Sequence, residues 1–311
     1  MHTSQFTDSK PVAEAVAPDH RQRQRVRTML LTLGATVALV AACSSTPGAS
    51  APTNASPSAG SIQDLAVTGK EYAFEAPAAV PAGPTRITLT NAGKEEHQVQ
   101  VAKLADGKTF ADLTEALKGP NESAALALVS LDGGPTGVVP GASGSTTVAL
   151  TPGQYVFLCF VTTAEGVPHF AKGMIAPLEV KEPASTAALP AGDAALTLQD
   201  FAFVGLDTLS PGKHAIAITN KGPQPHEATI VKLADGVTVP QLLTAFTSNE
   251  PPAGPPPFTS AGGIAGVAPG ASATLDVDLP AGNYAYICFV PDPATGKPHA
   301  ALGMIGALTV K

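Results

Sequence analysis

The chain has 311 residues, enough for two ordinary domains and a targeting segment. Charged residues make up only 14%, Trp is absent, and Gly and Pro number 30 each, which favours turn-rich β structure over helical bundles. A formal net charge of −7 gives no support to a nucleic-acid-binding or anionic-membrane surface.

The first 42 residues hold Lys10, Arg21, Arg23, Arg25 and Arg27 against Asp8, Glu14 and Asp19, a local charge of +2 that leaves −9 for the remainder. An apolar run from Met29 to Ala42 follows, too short to span a membrane permanently. A basic stretch, an apolar stretch and small residues together read as an export signal. The run ends Leu39-Val40-Ala41-Ala42-Cys43, which resembles the bacterial lipoprotein lipobox. That resemblance implies cleavage of a 1–42 signal peptide and lipidation of Cys43, so that the protein is exported and held at the outer face of the bacterial cell membrane by its lipid alone. A plain secretory signal with an incidental cysteine is the rival reading. Residues 43–61 are almost entirely Ser, Thr, Pro, Gly, Ala and Asn, a composition that cannot bury enough apolar surface to fold and reads as a tether.

Beyond the tether the chain repeats itself with an offset of 129 residues. Tyr72-Ala73-Phe74 matches Phe201-Ala202-Phe203, and the run Lys103-Leu104-Ala105-Asp106-Gly107 recurs at Lys232 to Gly236. Thr90-Asn91 and Gly93 return as Thr219-Asn220 and Gly222, and Gly133-Gly134 as Gly262-Gly263. A period this long implies duplicated whole domains, placed at 62–181 and 195–311 with a linker at 182–194. In each copy, alternating apolar residues predict strands, as in Ile87-Thr88-Leu89-Thr90 and Gln98-Val99-Gln100-Val101. Thr109 begins a helix with Phe110, Leu113 and Leu117 on one face; Thr238-Val239-Pro240 begins its counterpart. Pro152-Gly153 and Ala281-Gly282 introduce strong strands that run to Val161 and Val290. The expected fold is all-β: two tandem Greek-key sandwiches, each with a short inserted helix.

Soft ligands are scarce except where the repeat places them. After Cys43 the only cysteines are Cys159 and Cys288 and the only methionines Met174 and Met304. Four of five remaining histidines pair as His97 with His226 and His169 with His299, leaving His214 opposite Thr85. The order is His, a long gap, then Cys-x9-His-x4-Met in the first copy and Cys-x10-His-x4-Met in the second. Two imidazoles, a thiolate and a thioether suit a copper ion that cycles between two oxidation states. Each residue taken singly fits a plain core role, a Cys159–Cys288 disulfide fits an exported chain, and zinc is the alternative metal.

The segment from Pro152 to Cys159, continued to Pro168-His169 and Gly173-Met174, resembles the ligand loop of the plastocyanin/azurin family, the cupredoxins, and the resemblance covers nearly all of 62–311. It implies two tandem cupredoxin-like domains and two type 1-like copper sites, ligated by His97, Cys159, His169 and Met174 and by His226, Cys288, His299 and Met304. The loop between Cys and the second His is longer than in plastocyanin. The function expected is single-electron transfer through both coppers to an unidentified redox partner protein. Copper buffering or delivery without a redox partner is one alternative, and a metal-free β-sandwich binding module another. A two-domain multicopper enzyme would need further histidines, including some beside the cysteines. Leu158, Phe160, Ile287 and Phe289 occupy those flanks, so the chain is expected not to be an enzyme.

Overall fold

The computed structural model describes residues 60–119, 122–182, 185–248 and 256–311. The export signal, Cys43 and nearly all of the tether lie outside them. Among the described residues the first repeat supplies β1 (Gln63–Lys70), β2 (Ala73–Glu75), β3 (Ala79–Pro81), β4 (Gly83–Asn91), β5 (Gln100–Leu104), β6 (Val129–Leu131), β7 (Ser143–Leu150), β8 (Gly153–Leu158) and β9 (Ile175–Lys181). The second supplies β10 (Ala194–Gln199), β11 (Ala202–Val204), β12 (Thr208–Leu209), β13 (Gly212–Asn220), β14 (His226–Leu233), β15 (Phe258–Val267), β16 (Ser272–Leu279), β17 (Gly282–Ile287) and β18 (Ile305–Val310). The fold is all-β, with cupredoxin-like sandwiches in tandem.

Alternation builds the sheets. In β4, Ile87 and Leu89 point into the core while Arg86, Thr88 and Thr90 face outward, the period of two that a half-buried strand requires. Helix α1 (Phe110–Ala116) starts at the expected Thr109, whose hydroxyl accepts from the Asp112 amide while Asp112 accepts from the Thr109 amide. A short α2 (Glu122–Leu126) follows, which periodicity did not predict. In the second repeat α3 (Val239–Thr247) begins after Thr238 with Pro240 in its first turn.

The repeats share one sheet. Five-stranded sheets β3-β9-β8-β5-β6 and β12-β18-β17-β14-β15 belong to one repeat each, but an eight-stranded sheet runs β11-β10-β13-β16-β7-β4-β1-β2 through both. Its junction is the antiparallel pair β7/β16, in which Thr146 faces Leu275. Those two residues are equivalent in the repeat, so the ladder is centred on a local two-fold axis. A second strap lies on the same axis. Pro135 bridges its own equivalent, Ile264, and the Gly133 amide donates to Gly266 O at 2.8 Å while the Ala265 amide donates to Gly134 O at 2.8 Å. The repeated Gly-Gly pair lets this segment pass close against the preceding strand region of its own repeat. A Cβ on Gly134 (φ 116°) would stand 2.0 Å from Val99 O, and one on Gly263 (φ 139°) 2.4 Å from Ala228 O.

Candidate metal centre

Each site is assembled by a hydrogen-bonded frame that occurs twice. The Asn-x-Gly motif forms its first part: Asn91 Nδ2 donates to Glu95 O and Val138 O (both 2.7 Å), and the Gly93 amide donates to Asn91 Oδ1 (2.8 Å). Asn220 repeats these contacts to Gln224 O, Val267 O and the Gly222 amide. The turn so closed presents His97 just before β5 and His226 as the first residue of β14. Cys159 and Cys288 follow directly on β8 and β17. The second histidine opens a 3-10 turn, His169–Lys172 or His299–Leu302, and the methionine precedes the last strand of its repeat.

Backbone bonds lock these pieces together. The His169 amide donates to Val161 O (2.8 Å), Phe170 to Cys159 O (2.9 Å), Met174 to His169 O (2.9 Å) and Cys159 to Met174 O (3.2 Å). His299, Ala300, Met304 and Cys288 make the same four bonds at 2.9, 2.8, 2.9 and 3.3 Å. Bridges Thr162–Pro168 and Pro291–Pro298 close each loop beyond that frame. The extra residue of the second copy is therefore absorbed distally, and the longer loop leaves the ligand frame unchanged.

The structure brings His97, Cys159 and His169 together, and separately His226, Cys288 and His299, with one ligand atom from each residue within 4.8 Å of the others. Facing Nδ1 atoms lie 3.3 Å apart in site one and 3.1 Å apart in site two, and Cys Sγ stands 3.5 and 3.4 Å from the second imidazole's Nδ1. All six side chains are fully buried, as are Met174 and Met304. The Met174 methyl and the His97 ring both lean on Gly69, where a Cβ would meet them at 3.3 and 3.2 Å. Amides of Gln98 and Glu227 point at the two sulfurs from 3.5 Å. Cys159 and Cys288 are free thiols in separate sites, so the disulfide alternative fails.

Burial governs the titration. It lowers the pKa of His97, His226 and His299, the last to about 4, with the facing imidazole adding to the shift at His97 and His299. It pushes the Cys159 thiol up to about 12 and the Cys288 thiol higher still. Imidazoles converging on a thiol and a thioether inside a dry core are a fitting donor set for copper, whose charge would displace the thiol proton.

The outer nitrogens show what sequence reasoning missed. In site two His226 Nε2 bonds Asp200 Oδ1 at 2.8 Å and His299 Nε2 bonds Gln224 Oε1 at 3.1 Å. In site one Glu71 Oε1 stands 3.4 Å from His97 Nε2 and Glu95 Oε2 stands 2.8 Å from His169 Nε2, close carboxylate–imidazole contacts that lack hydrogen-bond geometry. Such outer partners orient an imidazole so that its other nitrogen faces the metal. Tyr72 and Phe201 set ring edges on His169 and His299, with centroids 4.9 and 5.2 Å apart. A signal for the first pair was present: Glu71 and Asp200 are equivalent acids in the repeat.

No protein-family model matches the chain, and no curated protein matches it. Among solved structures it resembles a dithionite-reduced auracyanin from Roseiflexus castenholzii (24% identity, 38% of this chain and 95% of that one, TM-score 0.27). It also resembles a copper-containing nitrite reductase from Thermus scotoductus (15% identity, 80% and 61%, TM-score 0.22). A third is the blue copper oxidase from Nitrosomonas europaea (14% identity, 81% and 86%, TM-score 0.24). At these scores the overlays carry no weight of their own; the paired sandwiches and the two buried His/Cys/His sets carry the cupredoxin-like assignment. One expectation is corrected. The chain was expected not to be an enzyme, yet its neighbours include nitrite reductases and multicopper oxidases, so that exclusion is withdrawn.

Proposed function

We propose that the chain is an exported, lipid-anchored copper protein that transfers single electrons to and from a redox partner protein through two type 1-like copper sites. The observation that supports this reading best is that the same buried frame presents His, Cys and His twice, with a buried methionine behind each set. Copper bound there would supply a one-electron couple. The chain's own part is to hold four donors in place, exclude water and keep imidazole orientation constant through Asp200, Gln224, Glu71 and Glu95. A frame closed by backbone bonds at both ends has little to rearrange when charge changes. Lipidation at Cys43 would place the sites at the outer face of the membrane.

Reconstituted protein is expected to bind two copper ions per chain and show an intense thiolate-to-copper absorption band, with Cys159→Ser removing about half of it. Fewer than one copper per chain and no visible band would overturn the metal reading. Cys43→Ala should release the protein from the membrane fraction; unchanged membrane retention would overturn the anchor.

A further inference from the structure

The residue after each cysteine leads into a space that both sites share. Phe160 follows Cys159, Phe289 follows Cys288, and both line one cavity of about 620 Å³. Gln98 and Glu227 face it from the residues next to His97 and His226, and Gln100 and Thr229 line it two positions further on. These six residues are three pairs separated by 129, so the local two-fold axis passes through the cavity. Its volume is that of an ordinary small-molecule site.

The walls carry unmet hydrogen-bonding capacity. Gln98, Glu227 and Thr229 are only 7%, 7% and 6% exposed. Glu227 Oε1 accepts from the Phe289 amide at 2.7 Å, whereas Oε2 has no partner among the described residues. Gln98 Oε1 accepts from the Thr136 hydroxyl at 3.2 Å, whereas its amide nitrogen has none, and neither has the Thr229 hydroxyl. These atoms open into the cavity, where a ligand can bond them in place of water. Here a lone acceptor and a lone donor stand at positions related by the axis, beside two aromatic rings.

We propose that this cavity binds one small aromatic molecule with oxygens at opposite ends of its ring system, the quinol class. One hydroxyl donates to Glu227 Oε2, the oxygen across the ring accepts from the Gln98 amide, and the ring packs on Phe160 and Phe289. A bound molecule then lies one residue from a cysteine of each site. An aromatic diamine would satisfy Glu227 and set a donor against the Gln98 N–H. Binding needs no metal, so the inference can fail or hold separately from the copper reading.

The test is calorimetric titration of 2,6-dihydroxynaphthalene into the metal-free full chain. One molecule per chain is expected, with 2-naphthol, which lacks the second oxygen, binding about tenfold more weakly. Thr229→Trp and, independently, Ser260→Trp, at another lining residue, fill the space and should weaken binding at least tenfold in protein that melts like wild type. Intermolecular nuclear Overhauser contacts from the probe to Phe160 and Phe289 check the location in the unmodified chain. No binding at millimolar probe, two molecules per chain, tighter binding of the amine 2,6-diaminonaphthalene, or contacts elsewhere would each overturn the proposal.

Discussion

Gly222 stands where a methyl group would lie 2.6 Å from Asp200 Oδ1 and 2.7 Å from His226 Nε2. Gly93 holds the corresponding place in site one, 2.7 Å from His97 Nε2. The glycine of the Asn-x-Gly motif is thus required by the imidazole's outer contact. Gly222→Ala should force Asp200 or His226 aside and weaken copper binding at site two by about tenfold or more, leaving site one filled. Metal titration monitored at each site, with Cys159→Ser and Cys288→Ser as references, checks it. The eight proposed ligands were legible because cysteine and methionine are rare enough in this chain for their repetition to stand out. Glu95 and Gln224 were not legible, since an acid in one copy and an amide in the other share no residue type to notice.

His214, the histidine without a counterpart, shows a second residue-scale effect. Its Nδ1 bonds Asp193 Oδ2 at 2.5 Å and its Nε2 lies 2.9 Å from Ser210 O, tying the linker to β13. The Asp193 hydrogen bond raises the His214 pKa, and the His214 bond lowers that of Asp193. A raised histidine contributes stability that is complete below its unfolded value near 6.5 and is lost as pH rises through its folded value. A lowered aspartate contributes above its unfolded value near 3.8 and fails as pH falls through the folded one. The pair therefore supports the fold best between these limits. The Tm difference between wild type and His214→Gln should shrink by about 1–3 °C from pH 5.5 to pH 8.5. A difference that stayed constant or grew would refute the linkage.

Among the elements, the strand pair β7/β16 was the part of the fold that the sequence could not announce. Alternation identifies a strand but not its neighbour, and either edge of Thr146 to Leu150 could have faced solvent. Burial gives the neighbour away: Thr146, Thr147 and Val148 are all buried, because the two faces of the shared sheet are covered there. The hydroxyls of Thr146 and Thr147 are buried without a hydrogen-bond partner among the described residues. Such an atom costs about 1–3 kcal/mol. Thr146→Val keeps the β-branched shape and removes the hydroxyl, so it should stabilise the protein by about 1 kcal/mol in urea denaturation. Destabilisation of that size would mean the hydroxyl has a partner after all.

On the scale of the whole molecule, Thr146 opposite Leu275 and Pro135 opposite Ile264 are each a position paired with its own repeat. A strand that can pair with its repeat at that register can pair with a second copy of itself. A fragment ending after β9, residues 60–182, should accordingly associate through β7, with Thr146 facing Thr146, and light scattering should report twice the fragment's mass. A monomer at tens of micromolar would refute this. The tandem chain then reads as a homodimer whose subunits have been joined end to end, and the joining has a consequence. A homodimer must accept every substitution twice, once on each side of its axis. A fused one can change a single side, and so it can set the carboxylate of Glu227 across from the amide of Gln98, and one carboxylate-lined His/Cys/His set beside another whose lining is half amide.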